Sequence, residues 1–185
     1  MDIDALFGDM AKAPVYGRGN QAAVGDYLVE IKAMKVKASE KKKGQVNFIC
    51  EYDIIQVFST KDPEKMRPGV SGAWIGNFTQ APLFGNIKEL MFAILGKKGS
   101  AVPESDVSAH RLVTLMATSA CDGPRTSRAT ADLRTEFGID DVNAIVKGAR
   151  VLLSTVDIEL KDKSEFTRHT WSPTPEAAAA AQAGA

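Results

Sequence analysis

The stretch from Val70 to Gly96, VSGAWIGNFTQAPLFGNIKELMFAILG, constrains the fold more than any other part of the chain. It begins with the alternation of an extended strand. Val70, Gly72, Trp74, Gly76 and Phe78 fall on one side, and Ser71, Ala73, Ile75 and Asn77 on the other. Ala81-Pro82 ends the strand, because proline has no N–H for a ladder. Ile87, Leu90, Met91, Ile94 and Leu95 then recur on one helical face, and Gly96 is expected to stop the helix. The pattern does not decide which side of the strand faces inward, so Trp74 is open to a core or a surface role.

Two strand-like runs precede this unit. In the first, which begins after Gly25, Tyr27, Val29, Ile31 and Ala33 alternate with polar Glu30 and Lys32. The phase then slips, and Met34 and Val36 become the apolar set, with Lys35 and Lys37 polar. A one-residue slip predicts a β-bulge, the bend that a small barrel needs in a strand serving both sheets. Lys41-Lys42-Lys43-Gly44 reads as a basic hairpin tip. The second run puts Val46, Phe48, Cys50, Tyr52 and Ile54 on one side and Asn47, Ile49, Glu51, Asp53 and Ile55 on the other. Both sides are partly apolar, which predicts a central strand. Ser59 to Gly69 is a polar loop.

After the helix, Ser105 is expected to cap a second helix reaching about Ala120, with Leu112, Leu115 and Met116 inward. Ala131 to Phe137 and Asp140 to Val146 read as short helices, so 97–148 is expected to be an insertion. Strand character returns with Val151, Leu152, Leu153, Val156, Ile158 and Leu160. A polar turn and a short returning strand from Phe166 to Trp171 follow. Residues 1–24 are expected to form a flexible arm and 25–173 a single domain. The alanine-rich 174–185 is too short for a stable isolated helix and is expected to be disordered. The order of elements predicts a mainly β, α+β fold. It is an OB-like antiparallel five-stranded barrel, with a helix after strand three and a helical insertion before the closing hairpin.

The chain has 185 residues, 44% hydrophobic and 25% charged, the balance of a globular domain. Its formal net charge is zero, so total charge points to no polyanion. No apolar run approaches the roughly 20 residues that cross a bilayer, and the early acids of MDIDALFGDMAKAP do not make a secretory signal. Cys50 and Cys121, far apart, suggest no disulfide framework, and a cytoplasmic setting is expected.

Signals of catalysis are sparse. His110 and His169 lack metal-spaced partners and read as ordinary structural residues, and Cys50 shares a side with Phe48 and Tyr52, as a core residue would. Gly96-Lys97-Lys98-Gly99-Ser100 lacks P-loop spacing and follows a helix instead of opening one. No enzyme, metal or cofactor is expected.

The placement of charge is more informative. Lysines 32, 35, 37, 41, 42 and 43 face only Glu40, while Lys147, Arg150, Lys161, Lys163 and Arg168 surround the second hairpin. In an OB barrel these two loops flank one groove. Single strands are held there by cations along phosphates and by aromatic platforms under bases. The candidate contacts are Lys35, Lys37, Lys41, Lys42, Lys43, Lys161, Lys163 and Arg168, with Trp74, Phe78 and Trp171 as platforms. The plainer alternative is a lysine-rich turn that guards a sheet edge. Glu51 and Asp53 count against a continuous basic groove.

Three stretches carry a resemblance: GDYLVEIKAMKVKASEKKKGQVNFICEYDII, PGVSGAWIGNFTQAPLFGNIKELMFAILG and KGARVLLSTVDIELKDKSEFTRHTWSP. Together they resemble the OB-fold single-stranded DNA-binding proteins of tailed bacteriophages. The resemblance implies a non-enzymatic protein that coats exposed single strands in phage replication or recombination, in the host cytoplasm. It aligns Lys41, Lys42 and Lys43 with a basic turn, Trp74 with an aromatic strand position, and Arg168 and Trp171 with the last strand. Candidate partners are single-stranded DNA, a homo-oligomer and phage replication proteins. The chain departs from the family in lacking an acidic tail. A rival reading is a virion structural protein, capsid-decorating or in the head, on the same barrel; neutral charge and an N-terminal arm favour it.

Overall fold

The computed structural model describes residues 22–39, 44–79, 82–122, 126–159 and 165–183. The expected arm falls almost wholly outside them, as do the tip lysines Lys41, Lys42 and Lys43 and the turn lysines Lys161 and Lys163.

The centre of the molecule is an antiparallel hairpin of two long strands, β1 (Gly25–Ala38) and β2 (Val46–Thr60). Tyr27, Val29, Ile31 and Met34 are buried from β1, and Phe48, Cys50, Tyr52 and Ile54 from β2. The change of phase within β1 is a bulge: Ile31 pairs with Tyr52 and Ala33 with Glu51, leaving Lys32 as the extra residue. Two further shifts make Ile55 and Phe58 the extra residues on β2.

β3 (Ser71–Asn77) pairs antiparallel with β2 in unbroken register. Its side bearing Trp74, Gly76 and Phe78 is the buried one. Both glycines are required by close packing: a Cβ on Gly72 would lie 2.7 Å from the Tyr52 ring, and one on Gly76 would collide with Leu83. α1 (Pro82–Ile94) starts at the proline, which suits a first helical turn. It is buried over most of its circumference, Asn86 and Lys88 included, so the expected single apolar stripe understates its burial. The chain leaves it at Gly96, with φ of 73°.

The insertion holds a 3-10 turn (Gly99–Ala101), then α2 (Val107–Ala120), β4 (Cys121–Asp122), α3 (Thr126–Phe137) and α4 (Val142–Val146). The cap of α2 is Asp106, not Ser105; its carboxylate accepts from the Ala109 N–H at 2.9 Å. β5 (Arg150–Glu159) and β6 (Glu165–Pro173) form the last hairpin.

The order across the sheet is β3-β2-β1-β5-β6, with the two-residue β4 set parallel against β1. The fold is thus α+β on a five-stranded antiparallel sheet. The sheet is an open path and is not closed, so the expected barrel is not confirmed. One core joins the inner sheet face to α1, α2, α3 and α4.

The tail also differs from expectation, for α5 (Pro175–Ala183) is helical. Thr174 caps it, accepting from Ala177 N–H at 3.2 Å through Oγ1, and Ala177 lies against Gly96. Among the described residues, no helix is long and apolar enough to cross a membrane.

Candidate nucleic-acid interface

The outer face of β1, β2 and β3 is the surface onto which the sequence directs its candidate contacts. Its rows follow from register. Lys37, Asn47 and Asn77 form one row, and Lys35, Ile49 and Ile75 the next. Ala33, Glu51 and Ala73 follow, with Asp53 and Ser71 beyond them.

Carboxylates answer the lysines on this face. The Lys35 ammonium donates to both Glu51 oxygens, at 2.8 and 2.9 Å. The bulged Lys32 lies 3.0 Å from Asp53, which also accepts from the Ser71 hydroxyl at 2.7 Å. The Ser71 and Lys32 hydrogen bonds hold the Asp53 carboxyl below the usual carboxylate range. Asp53 in turn raises Lys32. Farther along, Arg150 reaches Glu30 at 3.2 Å. An open hollow of about 610 Å³ lies here, lined by Lys32, Glu51, Asp53, Ser71 and neighbouring backbone. Lys37 is exposed.

The aromatic candidates lie on the other side. Trp74 and Trp171 are 0% exposed and Phe78 5%, so none is available as a platform for bases. Trp74 meets Phe48 edge-on at 5.5 Å, Trp171 meets Tyr52 at 6.3 Å, and Phe78 packs on Phe84 at 5.7 Å. This corrects the stacking expectation. The cause is the pleat: Trp74 shares a side with the glycines that admit Tyr52 and Leu83, and that side turns to the core. Among the described residues, the exposed aromatic ring is Phe58, at the far end of β2 from the lysine tip.

Arg168 is half-buried on β6 and lies in the electrostatic field of Glu89 on α1. Glu89 accepts the Trp171 N–H at 3.2 Å, and burial raises its carboxyl above the usual range. His169, buried beside it, has its pKa pushed down to about 4 by burial, partly offset by the Thr167 backbone. The Cys50 thiol is pushed up by burial, as a core residue's would be. His110 stacks edge-on with Phe92 at 5.5 Å and meets the Pro103 carbonyl at 3.1 Å. Among the described residues, no group of three or more His, Cys, Asp or Glu is placed to hold a metal.

The structure therefore brings Lys35 and Lys37 onto one face with Ile49 and Ile75, and it moves Trp74, Phe78 and Trp171 away from that face. The carboxylate partners of Lys32 and Lys35 lie on a neighbouring strand, and only the register reveals them. Set beside known protein families, characterised proteins and solved structures, the chain matches none of them.

Proposed function

We propose that this protein is a non-enzymatic, sequence-nonspecific single-stranded DNA-binding protein, built on an OB-type barrel left open between β3 and β6. The observation that carries the reading is the strand order. A three-strand meander is followed by α1 and the insertion, and a closing hairpin then returns to the free flank of β1. OB domains are partly open barrels of this kind. They bind oligonucleotides across strands two and three, between the first hairpin loop and the closing one. In sequence those two connections carry Lys41, Lys42 and Lys43, and Lys161 and Lys163.

The mechanism is electrostatic. Lys37 and the five loop lysines track phosphates, with Arg168 at the margin, and Lys35 joins them when a phosphate displaces Glu51. Stacking on tryptophan has no part in it. The proposed setting is the protection of exposed strands in phage replication or recombination, in the host cytoplasm. Fluorescence anisotropy with a labelled oligothymidine at 20 and 200 mM salt tests this. Expected are binding at low salt, strong weakening at high salt, and loss when Lys41, Lys42 and Lys43 are replaced by Gln. No binding at 20 mM salt rejects the proposal.

A second reading, a virion structural protein, is favoured by the sealed tryptophans and by the carboxylates that answer Lys32 and Lys35. Its test is co-purification with intact particles instead of recovery from the particle-free lysate.

A further inference from the structure

The two outer strands of the sheet are guarded differently. At β6 the Trp171 N–H is taken by Glu89 at 3.2 Å, and α1 packs against the strand. β3 has neither protection. Phe78 N–H donates to the Val46 carbonyl at 3.0 Å, and the Val70 carbonyl accepts from Ile54 at 2.9 Å. The even-numbered residues thus turn their main-chain groups toward β2, and Ser71, Ala73 and Ile75 turn theirs away. Among the described residues, no main-chain group meets them there. The strand, SGAWIGN, has no charge and no proline, and its pairing with β2 has no bulge. Sheets ordinarily blunt an exposed edge with one of these devices.

We propose that this edge pairs with the same edge of a second copy of the chain, antiparallel about a two-fold axis at Ile75. The axis follows from the placement of groups. Ile75 turns both its N–H and its C=O outward, so two copies of it exchange both hydrogen bonds as one pair. On the outer face Ile75 already stands beside Ile49, and both are half-buried apolar residues among charged ones. The two-fold aligns Ile49 and Ile75 of one copy with Ile75 and Ile49 of the other, an apolar row across four strands. Lys35 stands beyond each end of that row. The next row sets Ala73 against Asn77, so no like charges oppose each other. The inference does not rest on the DNA reading, since it is argued from the free main-chain groups of β3 and the uncharged row beside them.

Sedimentation velocity of the full chain from 5 to 200 μM tests it, with two variants. Ala73→Pro removes an N–H that faces away from β2, so the pairing within the chain is kept. Ile75→Lys places two ammonium groups opposite each other across the axis. Expected are a dimer for the wild type and self-association at least tenfold weaker in both variants, with far-ultraviolet circular dichroism unchanged. A wild type that is monomeric throughout overturns the proposal, as does a dimer that persists in Ile75→Lys. Should Ala73→Pro fail to fold, Ile75→Lys decides alone.

Discussion

Trp74 of β3 and Trp171 of β6 meet edge to face, with ring centroids 5.8 Å apart and planes at 65°. Their strands share no backbone ladder, so the open side of the sheet is bridged from within by side chains. Replacing either ring by alanine removes that bridge. Trp171→Ala is expected to cost about 3–5 kcal/mol. Urea denaturation of the variant beside the wild type measures it.

The same burial sets an optical prediction. Intrinsic tryptophan emission should be blue-shifted in the native protein and change little when an oligonucleotide is added at low salt. Strong quenching on binding would place an indole against a base, and so contradict the buried positions of both rings.

Glu51 and Asp53 dampen the positive charge of the outer face. Under the DNA-binding proposal, Glu51→Gln frees Lys35 for a phosphate. The variant should bind oligothymidine several-fold more tightly, with a log–log salt slope steeper by about 0.7, the share of one phosphate contact on a single strand. Anisotropy titrations across a salt series read both quantities. Unchanged affinity and slope would favour the structural reading.

His169 gives a pH dependence whose sign follows from burial. Its folded pKa is near 4 and its ordinary value is 6.5. Between these values the unfolded chain holds the proton more tightly. The stability tied to the neutral ring is therefore complete above pH 6.5 and lost as the pH falls toward 4. The span corresponds to about 3 kcal/mol. Denaturant midpoints at pH 7 and pH 4.5 should converge in His169→Phe relative to the wild type.

Gly96 carries two demands: a φ of 73° and contact with the Ala177 carbonyl. Gly96→Ala strains the backbone by about 1–2 kcal/mol and pushes α5 outward. The expected result is a lower melting temperature and faster carboxypeptidase trimming of the last residues. A melting temperature and trimming rate equal to the wild type would contradict the docked position.

Much of the scaffold was legible in the chain. The phase slip read after Ala33 marks the bulge to within two residues: the extra residue is Lys32, and Ala33 already belongs to the outer face beside Glu51. Two apolar sides marked β2 as internal, since a strand paired on both flanks and packed on one face still shields part of the other. Short helices expected at Ala131–Phe137 and Asp140–Val146 are present, but α3 starts five residues earlier, at Thr126, and α4 two residues later, at Val142. The cap of α2 was misplaced by one residue, because Ser105 and Asp106 both suit that position and only the backbone path decides. The expectation of a disordered tail weighed only the shortness of the alanine run, and it took no account of the Thr174 cap or of Gly96, distant in sequence, against which Ala177 lies. The candidate site was less legible. Trp74 sits on a strand side whose glycines conceal how deep it lies, and the pairing of Lys35 with Glu51 depends on a register that no local pattern records.

Gly25 pairs on one flank with Thr60 and on the other with Thr155. During synthesis, the first strand of the sheet therefore emerges long before its second neighbour exists. Until β5 leaves the ribosome, the Gly25–Glu30 half of β1 offers an unfilled hydrogen-bonding row beside an incomplete core. Chains terminated before β5 should for that reason aggregate instead of folding, and keeping the nascent chain apart from others until Arg150–Glu159 emerges would favour its folding.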